Sequence, residues 1–205
     1  MTPAIEFIFD FASPNAYFAY RALPPILART GARLDINPCL LGGIFVATGN
    51  KAPFVAFSAI KGKFEYELLE IKRFVHKHKL DRYSLNPNFP VNSLMLMRGY
   101  VAACEAGAGP AYLEMGLEGM WEKGLKLDDR DELRDAIDAA GLDGASLLAA
   151  SKSEPVKRKL ADNTAAAVER GVFGVPTFFV GSEMFFGKER LGQVEEAVEA
   201  AKAGA

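Results

Sequence analysis

Two short segments, about 160 residues apart, hold the residues best suited to chemistry. The first, Phe9-Asp10-Phe11-Ala12-Ser13-Pro14-Asn15-Ala16-Tyr17, sets a hydroxyl where a β-branched and aromatic run gives way to a helix-start signal. Pro14 has the fixed φ of a first helical position, which makes Ser13 the expected N-cap. The second, Phe173-Gly174-Val175-Pro176-Thr177-Phe178-Phe179-Val180, is a Gly-Val-Pro turn feeding a strand-forming run. A helix N-terminus carries about half a positive charge and unpaired N–H groups, so an anion placed at Ser13 would be stabilised there. Thiol redox chemistry at such a junction would need Cys-x-x-Cys, and the chain has Ser13-Pro14-Asn15-Ala16 instead. A thiolate at this site would have to come from a ligand, with the Ser13 hydroxyl donating to it. A free thiol of pKa about 8.5 could fall by about a unit or more in such surroundings.

Other chemistry-bearing residues point elsewhere. Cys39 and Cys104 lie 65 positions apart; with no secretion signal ahead of them they are expected to be reduced, as small buried hydrophobes. His76 and His78 are spaced i, i+2, which sends them to different sides of a helix, so no metal site is expected. The 205 residues, 50% hydrophobic and 24% charged, suffice for a full core. A net charge of −2 with dispersed Lys and Arg gives no footprint for nucleic acid. No apolar run approaches a membrane span, and no basic segment precedes the first apolar one. The expectation is a soluble, cytoplasmic protein.

The elements that must position the two segments follow from pattern. Residues 5–11 and 33–38 predict strands, with a helix over 17–28 between them ending at Thr30-Gly31. This is a β-α-β unit whose strands should run parallel through a right-handed crossover. From Gly42 to about Asn163 the pattern is helical almost throughout, with helices expected over 63–79, 93–106, 110–123, 131–140, 143–151 and 155–170. Strands return at 177–180 and 184–186 as a hairpin, and a last helix is expected over 188–203. The fold class is therefore α/β: a thioredoxin-like β-α-β / β-β-α domain (1–45 plus 164–205) interrupted by a large all-α insertion (46–163). The insertion should pack onto the site. Its apolar helices suit either a roof over the pocket or the interface of a homodimer.

Several motifs, spread over almost the whole chain, carry a family resemblance: Asp10-Phe11-x-Ser13-Pro14-x-x-Tyr17, Gly49-Asn50-x-x-Pro53, Lys63-x-x-Tyr66, Arg73, Phe89-Pro90-x-Asn92, Gly174-Val175-Pro176-Thr177-Phe178 and Gly187-x-x-Arg190-Leu191. In this order they resemble the 2-hydroxychromene-2-carboxylate isomerases and, more distantly, the kappa-class glutathione transferases. Two positions depart from that pattern: Glu70 stands where Asp is usual, and Lys188-Glu189 replaces a polar-Asp pair.

The resemblance implies a glutathione-dependent isomerase of a small aromatic carboxylate. Its substrates would be 2-hydroxychromene-2-carboxylate and trans-o-hydroxybenzylidenepyruvate, interconverted by transient thiolate addition in naphthalene-type catabolism. On that expectation Ser13 is catalytic and holds the thiolate. Asn50, Val175, Pro176 (expected cis by the resemblance), Lys188 and Glu189 bind glutathione, with the peptide pairing to Val175 as an added strand. Phe11, Tyr17, Phe45 and Lys63 line the substrate pocket. Tyr66, Glu70 and Arg73 share one helical face, where Glu70 and Arg73 are expected to pair structurally. The alternatives are a kappa-class-like transferase or peroxidase, a disulfide oxidoreductase (disfavoured by Ser13 and Ala16), and a non-catalytic binding module.

Overall fold

The computed structural model describes residues 3–204. Strand β1 (Ala4–Phe9) is followed by α1 (Pro14–Ala22), α2 (Pro24–Thr30) and β2 (Arg33–Pro38). Then come α3 (Leu41–Thr48), α4 (Pro53–Ala56), α5 (Lys63–His78), α6 (Leu94–Glu105), α7 (Gly109–Trp121), α8 (Arg130–Ala139), α9 (Gly144–Ala150) and α10 (Glu154–Glu169). The chain closes with β3 (Thr177–Val180), β4 (Glu183–Phe186), a 3-10 turn (Lys188–Arg190) and α11 (Leu191–Ala203).

The four strands form one sheet in the order β2-β1-β3-β4. β1 pairs parallel with β2, Ile5 opposite Leu34, and antiparallel with β3, Phe7 opposite Phe178. The hairpin β3-β4 continues the sheet antiparallel. This is the expected α/β, thioredoxin-like arrangement with a helical insertion. The central strands β1 and β3 are apolar on both faces because helices cover both. On one face Phe7, Phe9, Phe11 and Phe178 enter a large core with α1, α6, α7 and α11. On the other, Ile8 and Phe179 pack with Cys39 just after β2, Ile44 of α3, Ala167 of α10 and Val172 of the loop after it. The insertion reaches the site region directly: the Trp121 indole N–H donates to the Phe11 carbonyl at 2.8 Å.

Local differences from the sequence pattern have local causes. β1 stops at Phe9, not Phe11, because Asp10 turns the chain and its carboxylate accepts from the Ala12 N–H. The single helix expected after Tyr17 is two, since Pro24 has no N–H to continue the ladder and α1 ends at Ala22. α2 then ends as expected, with Gly31 left-handed at φ 63. The last helix begins at Leu191, with a tighter 3-10 turn over Lys188–Arg190 ahead of it. α3 had no specific signal of its own. Cys39 is buried as expected, but Cys104 is exposed. Among the described residues, no helix is long and apolar enough to cross a membrane.

Candidate active site

Ser13 sits in extended backbone (φ −100, ψ 113) immediately before α1. Its Oγ accepts from the Ala16 N–H at 3.2 Å, so it is the N-cap the sequence implied. The same hydroxyl donates to the Val175 carbonyl at 3.3 Å, bridging the two segments singled out by sequence. The Val175-Pro176 peptide is cis. Pro14 has no N–H, and the Asn15 and Val175 N–H groups have no hydrogen-bond partner among the described residues. Two unpaired backbone donors and one hydroxyl thus lie in the two segments that the Ser13–Val175 bond joins. Ser13 has one proton to give; moving it from a 3.3 Å bond to an arriving anion costs little.

Asp10 organises this junction. It is fully buried and has three partners: the Ala12 N–H at 2.8 Å, the Leu41 N–H at 2.7 Å and the Ser93 hydroxyl at 3.0 Å. One carboxyl group therefore ties the Ser13 loop, the start of α3 and the start of α6 together. Burial pushes its pKa above the ordinary Asp value, and the three donors pull the other way. Sequence reasoning quoted Asp10 as part of a motif and gave it no role. An acid at the end of an apolar strand was the available signal.

The remaining expected residues divide. Asn50 follows α3 and its left-handed Gly49; its side-chain NH2 donates to the Phe173 carbonyl at 2.7 Å, joining that loop to the Gly-Val-Pro turn. A Cβ on Gly174 would lie 3.0 Å from the Phe186 ring, so turn and hairpin are in contact there. Gly187 takes φ 98, a conformation glycine tolerates best, and its N–H donates to the Pro176 carbonyl at 2.9 Å. Lys188 and Glu189 are thereby fixed one step from the cis proline. Lys188 is buried and ion-paired to Glu189. Phe45 is half-buried on α3.

Three expected substrate contacts have protein partners of their own. Phe11 is wholly buried, edge-on to Phe9 and Tyr100. Tyr17 is 1% exposed, its hydroxyl donating to Glu122 at 3.0 Å. Both aromatic side chains fill core positions with no surface to offer a ligand. Lys63, at the start of α5, places its ammonium 3.9 Å from the centre of the Phe57 ring, a local cation–π contact. The Glu70–Arg73 ion pair forms as expected.

The fold and site together define a thioredoxin-type scaffold whose helix N-terminus presents Ser in place of Cys. Residues 4–199 match the family model for the DSBA-like thioredoxin domain, and the chain belongs to that family. Within it, the chain is 29% identical over 197 residues to a 2-hydroxychromene-2-carboxylate isomerase of Pseudomonas putida, covering 95% of this chain and 93% of that protein. It is 26% identical to glutathione S-transferase kappa 1 of Rattus norvegicus, over 91% of this chain and 87% of that one. A solved structure of a 2-hydroxychromene-2-carboxylate isomerase superposes with a TM-score of 0.82 at 26% identity, covering 97% of this chain and 95% of the other. These similarities support an isomerase.

Proposed function

We propose that the protein is a glutathione-dependent isomerase that interconverts 2-hydroxychromene-2-carboxylate and trans-o-hydroxybenzylidenepyruvate, in cytoplasmic breakdown of naphthalene-type aromatics. The observation that carries this reading is the bridge from Ser13 Oγ to the Val175 carbonyl, with cysteine at neither position 13 nor 16. It leaves an anion cradle that a thiol-bearing peptide fits: the unpaired Val175 N–H suits strand-like pairing, and the Ser13 hydroxyl and Asn15 N–H suit a sulfur anion. Bound glutathione would supply a thiolate whose reversible addition converts a double bond into one that rotates.

The chain's own residues would then hold and orient. Ser13 lowers the energy of the anion by a hydrogen bond to a charged acceptor, worth about 1.5–3 kcal/mol. Asn50 holds the Gly-Val-Pro turn through Phe173, and Asp10 holds the Ser13 loop. Phe45 is the expected aromatic residue that remains available to the substrate. A homodimer also fits, because α5 has no buried residue and Phe64 and Leu68 stand exposed on it with Val55 and Ile60 nearby in sequence. The thioredoxin-like domain of this reading comprises 1–45 plus 164–205, and the helical insertion 46–163.

The test is the absorbance change of 2-hydroxychromene-2-carboxylate with purified protein, with and without catalytic glutathione. Glutathione-dependent approach to an equilibrium mixture, with no glutathione consumed, is the expected result. The similarity to the kappa transferase favours one second reading, conjugation of electrophiles by the same cradle. Consumption of glutathione against a chloronitrobenzene would establish that instead.

A further inference from the structure

Phe11 and Tyr17, the rings expected to meet the substrate, are buried, yet two other aromatic side chains stand open beside the cis-proline turn. Phe173 is 38% exposed and Phe186 41%. Their ring centres lie 4.5 Å apart and their planes meet at 51°, so the two make one tilted pair. A lone exposed ring is ordinary on a protein surface. Contiguous exposed apolar surface next to polar groups is the mark of a contact site.

The backbone fixes both rings and leaves them uncovered. Phe186 ends β4 opposite Thr177, the residue after the cis proline. The Thr177 hydroxyl donates to the Gly174 carbonyl at 2.8 Å and the Gly187 N–H donates to the Pro176 carbonyl at 2.9 Å, so turn and hairpin end are tied twice. Gly174 has no side chain, which lets the Phe186 ring lie on the turn: a Cβ there would be 3.0 Å from that ring. Phe173 is anchored through its carbonyl, which accepts from the Asn50 side chain at 2.7 Å. It precedes Val175 by two residues, a span of at most about 7 Å. The ring pair and the unpaired Val175 N–H are thus within reach of one small bicyclic molecule and the peptide bound beside it.

We propose that Phe173 and Phe186 form the platform on which the planar part of the substrate rests, and that they set the site's preference for flat aromatic acids over saturated acids of the same size. This rests on the isomerase reading above and deepens it. A flat ring laid against an open face of the pair gains an offset-stacked or edge contact as well as burial, worth about two- to tenfold in affinity beyond the area covered. A saturated ring gains the burial alone. Both isomers carry the same benzene ring, which stays flat while the side chain rotates. The platform therefore holds ground states and the rotating adduct alike, and acts on KM, leaving kcat in place.

Calorimetric dissociation constants of 2-naphthoate and of decahydro-2-naphthoate, its saturated counterpart, test this with glutathione present, which neither compound consumes. The wild-type protein is expected to bind 2-naphthoate about two- to tenfold more tightly. Phe173→Leu and Phe186→Leu keep an apolar side chain without a ring. Each should narrow the preference and the double variant should abolish it, with the glutathione dissociation constant essentially unchanged; Phe186→Tyr should retain it. In the double variant KM for the isomerised acid should rise by the same factor while kcat holds. No binding of 2-naphthoate to the wild type, or a preference that survives in the double variant, would overturn the inference and leave the glutathione reading intact. Equal weakening of glutathione and 2-naphthoate would make the rings a brace for the turn, and overturn it as well. Ring-dependent binding of 2-naphthoate by a protein that leaves 2-hydroxychromene-2-carboxylate unchanged would support the platform and overturn the isomerase reading instead.

Discussion

The hydroxyl of Ser13 donates to the carbonyl of Val175 across 162 positions of chain, and it also caps α1 by accepting from the Ala16 N–H. One side chain therefore serves the helix and the cradle. The two duties are separable by experiment because one acts on folding and the other on a bound anion.

Ser13→Ala should lower unfolding free energy by about 1 kcal/mol through loss of the cap. It should also lower turnover about 10- to 100-fold, the equivalent of the lost bond to a charged acceptor. The thiol pKa of bound glutathione, followed by the ultraviolet absorbance of the thiolate, should rise in the variant. A lower melting temperature with an unmoved thiol titration would leave Ser13 as a cap alone.

Asp10 gives a pH prediction with a definite sign. Its folded-state pKa is raised above the ordinary value of 3.8, chiefly by burial. The contribution of the protonated form is then fully present below the unfolded-state pKa and is lost as pH rises through the folded-state pKa. Asp10→Asn cannot titrate, and it turns an amide N–H toward a site occupied by donors, costing about 1–3 kcal/mol. The stability difference, wild type minus variant, should be greatest in acid and shrink as pH climbs above 3.8. Denaturant titrations of both proteins across that range decide it; a difference that grows with pH would contradict the sign.

Much of this arrangement was readable from residue types, and the limits of that reading have physical reasons. Strand-forming runs at 5–11, 33–38, 177–180 and 184–186 alternate with proline and glycine signals, and those local rules located all four strands of the sheet, the first of them drawn two residues too long. Ser13 and Pro14 declared a helix start by capping chemistry alone. The burial of Phe11 and Tyr17 was not legible because an aromatic ring suits a pocket wall and a core equally well; only packing against Tyr100 or Glu122 distinguishes them. Lys188 was named from the sequence, but its burial was hidden for the opposite reason. Lysine is mostly exposed, and its burial depends on Phe74 and Glu189 meeting it in three dimensions. Asp10 was visible as a motif letter, but its three partners lie at positions 12, 41 and 93, and no local pattern joins them.

Tyr17 should prove structural. Its pKa is pushed up to about 12, first by burial and then by Glu122, so the phenol stays protonated near neutral pH with its O–H committed to Glu122. Tyr17→Phe removes the 3.0 Å bond to Glu122, while Arg21 still donates to the same oxygen at 2.9 Å. A loss of about 1 kcal/mol in stability with kcat and KM for the isomerisation essentially retained is the expected pair of results. A collapse of kcat in a stably folded variant would return Tyr17 to the substrate pocket.

Gly116 tests how firmly the insertion holds the Ser13 loop. A Cβ placed there would lie 2.3 Å from Phe11 Cε1 and 2.8 Å from its Cζ, so Gly116→Ala must displace a buried ring. That ring has little room to yield, being packed edge-on against Phe9 and Tyr100. Overpacking of this kind costs about 1–3 kcal/mol. Any shift of Phe11 also pulls on the 2.8 Å bond from Trp121 to its carbonyl, two residues before Ser13. Trp121 is the chain's single tryptophan, so its fluorescence reports this contact directly. Gly116→Ala should shift the emission, lower the denaturation midpoint, and raise KM for glutathione more than Tyr17→Phe does. Unchanged emission and midpoint would mean that α7 moves as a body to make room, and that the insertion is looser on the sheet than the packing of Phe11 indicates.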